Sequence, residues 1–399
     1  MSRILTTHVG SLPRPDSLRE ANAKMAAGEM SREDFQAQLD AAVADVVKKQ
    51  HDIGIDILND GEYGHMMKDF QDYGSWWTYS FTRMSGLEYT DEGLHEGQTT
   101  GGGAVELTTF NNRRDWVRFK DAYTNPESGI YQAQGKEAQM PTITGPVKYT
   151  GHDDVKRDVE FTLQALRANG LSAADGFIAA LSPGSAARIS NTYYKTENDI
   201  LFAMADALHE EYKIITDAGL TVQIDDPSLA EGWDQINPEP PVEDYRKWVE
   251  VRIEAINAAL EGINPEQVRL HVCWGSWHGP HTTDIPFIDI VDKVLKVNAR
   301  GISFEAANVR HAHEWKIWRE VELPEDKVLI PGMVSHSTNV VEHPELVADR
   351  IQNFTDIVGP DRVIASTDCG LGGRIFPSIA WAKLEALTEG AQIASKRLR

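Results

Sequence analysis

The chain has 399 residues, of which 41% are hydrophobic and 25% are charged, and its formal net charge is −22. This composition is typical of a soluble globular protein and excludes an intrinsically disordered one. The acidic excess argues against sequence-independent nucleic-acid binding and against docking on an anionic membrane surface, because both need clustered Lys and Arg. We therefore expect no nucleic-acid partner and no membrane partner.

The two cysteines, Cys273 and Cys369, are too few for a disulfide framework, which favours a reducing compartment. No apolar stretch approaches the ~18 residues of a membrane-spanning helix, and residues 1–15 lack the apolar region of a signal peptide. We expect a cytoplasmic protein. The sequence is also compatible with a homo-oligomer.

Short apolar runs, each followed by a helical pattern, recur along the chain. Most runs are rich in Val, Ile and Leu and are bounded by Gly, Pro or Asp, which is typical of buried parallel strands. The nine runs are His8–Ser11, Asp56–Asp60, Thr142–Val147, Phe177–Ser182, Thr221–Asp226, Arg269–Gly275, Gly301–Ala306, Leu329–Ser335 and Val363–Gly370. Helical periodicity covers residues 31–52, 154–169, 196–218, 243–262 and 344–357, and Ser31 is the predicted N-cap of the first.

This alternation predicts an α/β protein with a (β/α)8 TIM-barrel fold, or a large doubly wound sheet. Nine runs are one too many for a simple barrel. We expect one of them, with His8–Ser11 as the first candidate, to be a loop or a short extra strand. No linker divides the sequence, so we predict one domain over residues 1–399.

Residues 70–138 interrupt the alternation and are rich in Gly, Tyr, Trp and Thr. The segment predicts a β-rich insertion of one or more hairpins after the second strand. It is either a decoration or a lid or wall of a substrate pocket, since barrel active sites are built from loops at the C-terminal ends of strands. Residues 227–242, rich in Pro and acidic residues, predict a second rim loop.

Both cysteines lie at ends of predicted strands, and two further metal-ligand side chains lie near them. His271 and Cys273 are two residues apart, so on a strand their side chains point the same way. Glu305 ends the next predicted strand and Cys369 the last. Zn2+ takes thiolate, imidazole and carboxylate ligands, and these four residues predict a zinc site. The alternative is a pair of buried structural cysteines beside a core histidine.

Other predicted strand ends are also polar. Their segments are Thr7–Arg14, Asn59–Glu62, Gln223–Pro227 and Val334–Ser337. An acidic side chain at a buried strand end is costly unless it binds something, although ion pairs with arginines or helix-cap amides are the plain alternative. Because all these ends lie on one face of a barrel, they favour a shared pocket. Four further histidines are expected either to support the site from behind its ligands or to lie at the surface: His278, His281, His311 and His313.

In order and spacing, these segments resemble the C-terminal catalytic barrel of cobalamin-independent methionine synthases, from residue 6 to about 374. The resemblance implies a Zn2+ site at His271, Cys273, Glu305 and Cys369 that binds the thiol of homocysteine and activates it as a thiolate for methyl transfer to sulfur. It also implies that Ser11, Glu62 and Asp225 hold the amino-acid part of the substrate, and that His336 donates a proton to the leaving group. The implied partners are a small-molecule thiol and a methyl or alkyl donor.

The tryptophan with which the family stacks on a folate pterin is missing, since Ser190 or Asn191 occupies that region. This departure keeps a second hypothesis open. Epoxyalkane:coenzyme M transferases resemble the same family and add a zinc-bound thiolate to an epoxide; here Arg14 or another rim arginine would bind a sulfonate. A third hypothesis is a non-catalytic zinc-binding protein with a closed four-ligand site. The sequence identifies neither the thiol nor the donor.

Overall fold

The computed structural model describes residues 3–65, 75–89, 105–109, 112–130 and 140–398. The strands of this part of the chain are β1 (Leu5–Thr6), β2 (Leu58–Asn59), β3 (Met84–Glu88), β4 (Thr142–Tyr149), β5 (Gly176–Leu181), β6 (Ser190–Asn191), β7 (Thr221–Asp225), β8 (Val268–Val272), β9 (Gly301–Phe304), β10 (Val328–Val334) and β11 (Ile364–Thr367). Eight of these form one sheet in the order β1-β11-β10-β9-β8-β7-β5-β2, and all its neighbouring strands pair in parallel.

Backbone hydrogen bonds also join the two edge strands of this sheet. The amides of Asp56 and Ile57, just before β2, donate to the carbonyl oxygen of Thr6 in β1 at 3.1 and 3.0 Å. The sheet therefore curls into a closed barrel, and the predicted α/β barrel fold is confirmed. Closure leaves no exposed sheet edge and brings the C-terminal ends of all eight strands to one rim.

The run that does not belong to the barrel is Thr142–Val147, the third in the chain. It begins β4, which pairs antiparallel with β3 and parallel with β6 in a separate sheet. The first run, His8–Ser11, is a loop as expected, but β1 lies directly before it and serves as the first barrel strand. Several residues of β4 are partly exposed, whereas β5 and β8 are buried throughout, and such exposure is typical of a strand outside a parallel barrel.

The helices of the described part are α1 (Asp16–Ala26), α2 (Arg32–Asp52), α3 (Ser75–Phe81), α4 (Arg114–Arg118), α5 (Lys120–Thr124), α6 (His152–Ala168), α7 (Pro183–Ala186), α8 (Glu197–Asp217), α9 (Ser228–Glu231), α10 (Val242–Ala259), α11 (Val291–Val294), α12 (Pro344–Val358) and α13 (Pro377–Arg397). Helices α2, α6, α8, α10 and α12 match the five predicted segments. Ser31 caps α2 as predicted, accepting a hydrogen bond from Asp34 N at 3.0 Å. Among the described residues, no helix is both long and apolar enough to cross a membrane.

The segment predicted as a β-rich insertion contributes α3, β3, α4 and α5 to the described residues. Its strand β3 pairs with β4, which follows the segment. Arg83, between α3 and β3, is buried and forms ion pairs with Asp158 of α6 (Nη2–Oδ2, 2.5 Å) and Glu211 of α8 (Nη1–Oε1, 2.8 Å). These pairs fix the start of the segment on the barrel. The remaining residues of this segment, 70–74, 90–104, 110–111 and 131–138, lie outside the described residues.

Candidate metal centre and active site

The side chains predicted for the site come together at the C-terminal rim of the barrel. Closure of the parallel sheet dictates this arrangement, because each of them lies at or just after the end of a barrel strand. Ser11 and Arg14 follow β1, Glu62 follows β2, Asp225 ends β7, His271 lies in β8 with Cys273 after it, Glu305 follows β9, His336 follows β10, and Cys369 follows β11. The hydrogen bonds and ion pairs of these side chains differ, and they distinguish the candidate metal ligands from the candidate substrate-binding residues.

Three of the four predicted metal ligands form one compact group. One ligand atom from each of His271, Cys273 and Cys369 lies within 4.8 Å of the others, and all three side chains are buried. His271 Nδ1 lies 3.0 Å from Ser303 Oγ, while Nε2 has no hydrogen-bond partner among the described residues. The adjacent Cys273 thiol and the His271 ring lower the pKa of Cys369 well below its usual range, although burial opposes this. The group thus offers two sulfurs and one oriented ring nitrogen, a donor set suited to Zn2+.

Glu305, the fourth predicted ligand, lies in an adjoining group with His336 and Asp368. Its Oε1 accepts a hydrogen bond from Trp274 N at 2.9 Å, and its Oε2 accepts one from Asn308 Nδ2 at 2.6 Å. Each oxygen of the carboxylate therefore already has a protein donor. Its role as a metal ligand stays a prediction, because coordination would require the carboxylate to turn or to use its remaining lone pairs.

Asp368 is absent from the residues predicted for the site, although it directly precedes Cys369. Its carboxylate accepts hydrogen bonds from the backbone amides of Ala306, Ala307 and Asn308, each at 2.7 Å. It therefore ties the end of β11 to the loop that carries Glu305. Because Gly332 packs against Asp368 so closely that a Cβ would collide with it, the anchor also depends on a glycine in β10.

Two further buried carboxylates, Glu62 and Asp225, lie close enough to the metal group to feel the charge of Cys369. Burial raises the pKa of Glu62 to about 7, and its Oε2 has no hydrogen-bond partner among the described residues. Asp225 Oδ1 accepts a hydrogen bond from Gln223 Nε2 at 2.7 Å. Burial and the charge of Glu62 raise the pKa of Asp225 well above its usual range. Two such carboxylates in one pocket are stabilised by a cation between them.

The turn that presents Glu62 is conformationally unusual. Glu62 has φ 58°, in the left-handed region that residues other than glycine rarely occupy. Gly10, which has φ 135°, lies against the Glu62 carboxylate, and a Cβ at Gly10 would collide with Glu62 Oε1. Strain of this kind persists only where the surroundings enforce it, and it is concentrated at functional sites.

Arg14 supports this turn through the backbone. Its guanidinium donates to the carbonyl oxygen of His65 at 2.8 Å and to that of Glu62, and it lies 3.4 Å from Ser11 Oγ. These contacts place Arg14 beneath the Glu62 turn and not simply at the surface of the rim. A direct contact between Arg14 and a substrate stays a prediction.

His336 lies in a loop that polar contacts hold closed. Glu342 accepts a hydrogen bond from Ser335 N at 2.8 Å and pairs at 2.9 Å with Lys383, which is fully buried in α13. His278 Nε2 lies 3.1 Å from the His336 carbonyl oxygen. Burial lowers the pKa of His336 to about 3, and its Nδ1 has no hydrogen-bond partner among the described residues. The ring is therefore neutral at pH 7.

The other histidines of the β8 and β9 loops form a second polar cluster. His311 lies 3.0 Å from both Asp284 and Glu314 and stacks on Trp274, the residue after Cys273. Although burial opposes it, hydrogen bonds with the two carboxylates raise the pKa of His311 to about 10. His281 also pairs with Asp284. As predicted, these histidines are engaged with protein groups; in the described residues none of them belongs to a metal-ligand group.

Residues 112–130 of the predicted insertion dock on this rim. Asp115 accepts hydrogen bonds from Tyr123 Oη (2.9 Å), Thr282 N (2.9 Å) and His281 N (3.2 Å). Arg113 is buried and forms an ion pair with Glu231, which also pairs with Arg188 at 3.0 Å. The contacts agree with a wall beside the pocket, one of the two alternatives for this segment.

The fold and the site together define a (β/α)8-barrel protein with a candidate metal centre at the C-terminal rim. Residues 4–73 and 123–392 match the family described as cobalamin-independent synthase, catalytic domain. The match covers most of the chain, and the chain therefore belongs to this family of enzymes, as the sequence resemblance predicted.

Curated relatives and a solved structure agree with this assignment. The methionine synthase of Sulfolobus acidocaldarius is 26% identical over 401 residues, which cover 99% of this chain and 93% of the relative. That of Saccharolobus solfataricus is 26% identical over 410 residues, covering 99% and 96%. A B12-independent methionine synthase from Shewanella sp. W3-18-1, solved in complex with selenomethionine, superposes with a TM-score of 0.71 at 20% identity, covering 100% of this chain and 99% of that one. At that identity the superposition supports the fold.

Proposed function

We propose that the protein is a zinc-dependent methyltransferase that methylates the sulfur of homocysteine or a closely similar amino-acid thiol. The observation that carries the proposal is the coexistence, on one rim, of a buried His271–Cys273–Cys369 group and the facing carboxylates of Glu62 and Asp225. The first group suits a soft metal and a thiol, and the second suits a substrate ammonium.

The donor set fits zinc on two grounds. Two thiol sulfurs with one imidazole nitrogen favour Zn2+ over the hard cations Mg2+ and Ca2+. The buried Nε2 of His271 has no partner among the described residues, as expected of a nitrogen reserved for a ligand. His271, Cys273 and Cys369 would hold the ion, with Glu305 as the proposed fourth ligand. When bound, zinc lowers the pKa of a coordinated thiol and so makes it nucleophilic at neutral pH.

The residues of the chain supply the binding and the proton transfer. Glu62 and Asp225 bind the ammonium group of the substrate, and the Ser11 loop contacts its amino-acid part. His336 is the proposed proton donor to the leaving group. Burial opposes protonation of its ring, and the negative charge of Cys369 favours it. The protonated ring then gives its proton to the leaving group as the methyl carbon forms its bond to sulfur and breaks its bond to the donor.

Two contacts distinguish this proposal from addition of a thiol to an epoxide. The pair Glu62 and Asp225 favours a cationic group on the thiol, because a cation stabilises two buried carboxylates and a sulfonate does not. Arg14, the expected sulfonate ligand, donates instead to backbone carbonyl oxygens. A closed structural zinc site accounts for neither the strained Glu62 turn nor the Nδ1 of His336, which has no hydrogen-bond partner among the described residues.

The test compares Cys369→Ser with the unaltered chain. Purified protein should contain about one zinc per chain and methylate homocysteine, and the variant should lose metal and activity together because one thiolate ligand is gone. Full activity in a metal-free preparation, or full activity of the Cys369→Ser variant, would contradict the proposed metal site. A panel of thiols and methyl donors, assayed with the zinc-loaded protein, then identifies both substrates.

A further inference from the structure

Two buried polar atoms at the Glu62 turn have no hydrogen-bond partner within the part of the chain that the structure describes. Glu62 Oε2 and His65 Nδ1 lie 3.8 Å apart, and neither has a hydrogen-bond partner among the described residues. The two side chains are only 3% and 5% exposed. Buried polar atoms almost always have a partner, and 3.8 Å is too long for a direct hydrogen bond. One group placed between the two atoms would satisfy both.

The position of the His65 ring is fixed by its surroundings. The ring stacks on Tyr79 with centroids 3.6 Å apart and an interplanar angle of 8°. The Tyr79 hydroxyl in turn accepts a hydrogen bond from Leu181 N at the end of β5 (2.9 Å). The backbone of His65 is held by Glu62 O and by Arg14. The ring therefore keeps Nδ1 on the side of Glu62.

The electrostatic surroundings of His65 keep the ring uncharged. Burial, and next the charge of Arg83, lower the pKa of His65 well below its usual range. A neutral imidazole has one nitrogen that accepts a hydrogen bond and one that donates. An acceptor at Nδ1 beside a carboxylate is complementary to a cationic N–H donor.

We propose that His65 Nδ1 is a third acceptor for the ammonium group of the substrate, beside the carboxylates of Glu62 and Asp225. This inference rests on the proposed function and deepens it, since an ammonium group has three N–H donors and the site then offers three acceptors. His65 is thereby a specificity-determining residue. It selects thiols that carry a primary ammonium group over thiols of the same length without one.

Binding measurements test the inference independently of catalysis. Isothermal titration calorimetry of the zinc-loaded protein, without a methyl donor, gives the Kd of homocysteine and of 4-mercaptobutanoic acid, which lacks the amino group. His65→Phe keeps a ring against Tyr79 but removes the acceptor. We expect this change to weaken homocysteine about 10- to 100-fold and to leave 4-mercaptobutanoic acid within about twofold.

Two further variants separate hydrogen bonding from packing. His65→Gln retains an acceptor oxygen and should preserve much of the preference for homocysteine, while His65→Leu, a smaller side chain, should lose it as His65→Phe does. Tyr79→Phe keeps the stacked ring and should preserve the preference. The inference is overturned if the His65 variants weaken both thiols equally or weaken neither. If the unaltered protein binds homocysteine with this preference but transfers no methyl group, the proposed function fails while the inference stands.

Discussion

Ser303→Ala should weaken zinc binding even though Ser303 is not itself a predicted ligand. Ser303 Oγ is the hydrogen-bond partner of His271 Nδ1, at 3.0 Å, and both residues are buried in adjacent strands. The hydrogen bond holds the ring at a fixed angle through Nδ1 and leaves Nε2 available to the proposed metal ion. Without it, the ring can rotate and Nδ1 becomes a buried atom with no partner.

The expected loss follows from the geometry of this single contact. Removal of a hydrogen bond that orients a metal-bound histidine lowers metal affinity 10- to 100-fold in comparable sites, or about 1.4–2.7 kcal/mol. A competition titration against a chromophoric zinc chelator at pH 7 measures the change. The substitution deletes one oxygen from a buried position and adds no bulk, so the barrel should remain folded.

The chain offers a matched control in Ser366, a buried serine of β11. Ser366 is fully buried in β11, and its Oγ has no hydrogen-bond partner among the described residues. Ser366→Ala therefore makes the same chemical change without disturbing His271, and zinc affinity should stay within about twofold. Equal zinc affinity of Ser303→Ala and the unaltered protein would refute the orienting role of the hydroxyl, and an equal loss in both variants would attribute the effect to general loosening of the barrel.

Two further predictions concern the substrate side of the rim and the docked segment. Gly10→Ala should raise the KM for homocysteine, because the added Cβ would displace the Glu62 carboxylate; Gly170→Ala, also at positive φ but with open space around it, should leave the KM unchanged. Glu231→Gln should destabilise the protein at pH 7. Although burial opposes them, its two arginine partners lower the pKa of Glu231 to about 2. A lowered folded-state pKa contributes stability above the unfolded value near 4.5, up to about 3 kcal/mol, which is lost as pH falls towards 2. Urea unfolding between pH 7 and 3.5 should show the gap between variant and unaltered protein narrowing below pH 4.5; a constant gap would contradict this linkage.

The barrel could be predicted because its strands and helices differ in local period. A few neighbouring residues are enough to recognise a buried apolar run such as Phe177–Ser182 or an amphipathic segment such as residues 196–218. Assignment of a strand to a sheet depends on its partner instead. The run Thr142–Val147 has the composition of a barrel strand, yet it pairs with Met84–Glu88, more than fifty residues upstream, and no local pattern encodes that choice.

The same distinction holds for the site. Ligand types at strand ends were predictable, since a strand end fixes which rim a side chain joins. The contacts of each side chain were not, because they depend on neighbouring loops. Glu305 is held by Trp274 and Asn308, and Arg14 by backbone carbonyl oxygens. His65 follows Glu62 by only three residues, but its stacking on Tyr79 requires the fold.

The strand order explains how one small molecule could reach both halves of the site. Asp225 is the register partner of His271 across β7 and β8, which puts a carboxylate proposed to bind the ammonium group directly beside a proposed metal ligand. A second strand pairing joins the two groups elsewhere on the rim. Here β1 pairs with β11, and Ser11 O accepts hydrogen bonds from Leu371 N and Gly372 N, both at 2.9 Å. Backbone hydrogen bonds fix both of these strand pairings, so the barrel sets the distance between the proposed metal ligands and the proposed substrate-binding residues. Selection among amino-acid thiols should accordingly depend on the spacing between their nitrogen and sulfur atoms, since the described strand ends leave little freedom to adjust.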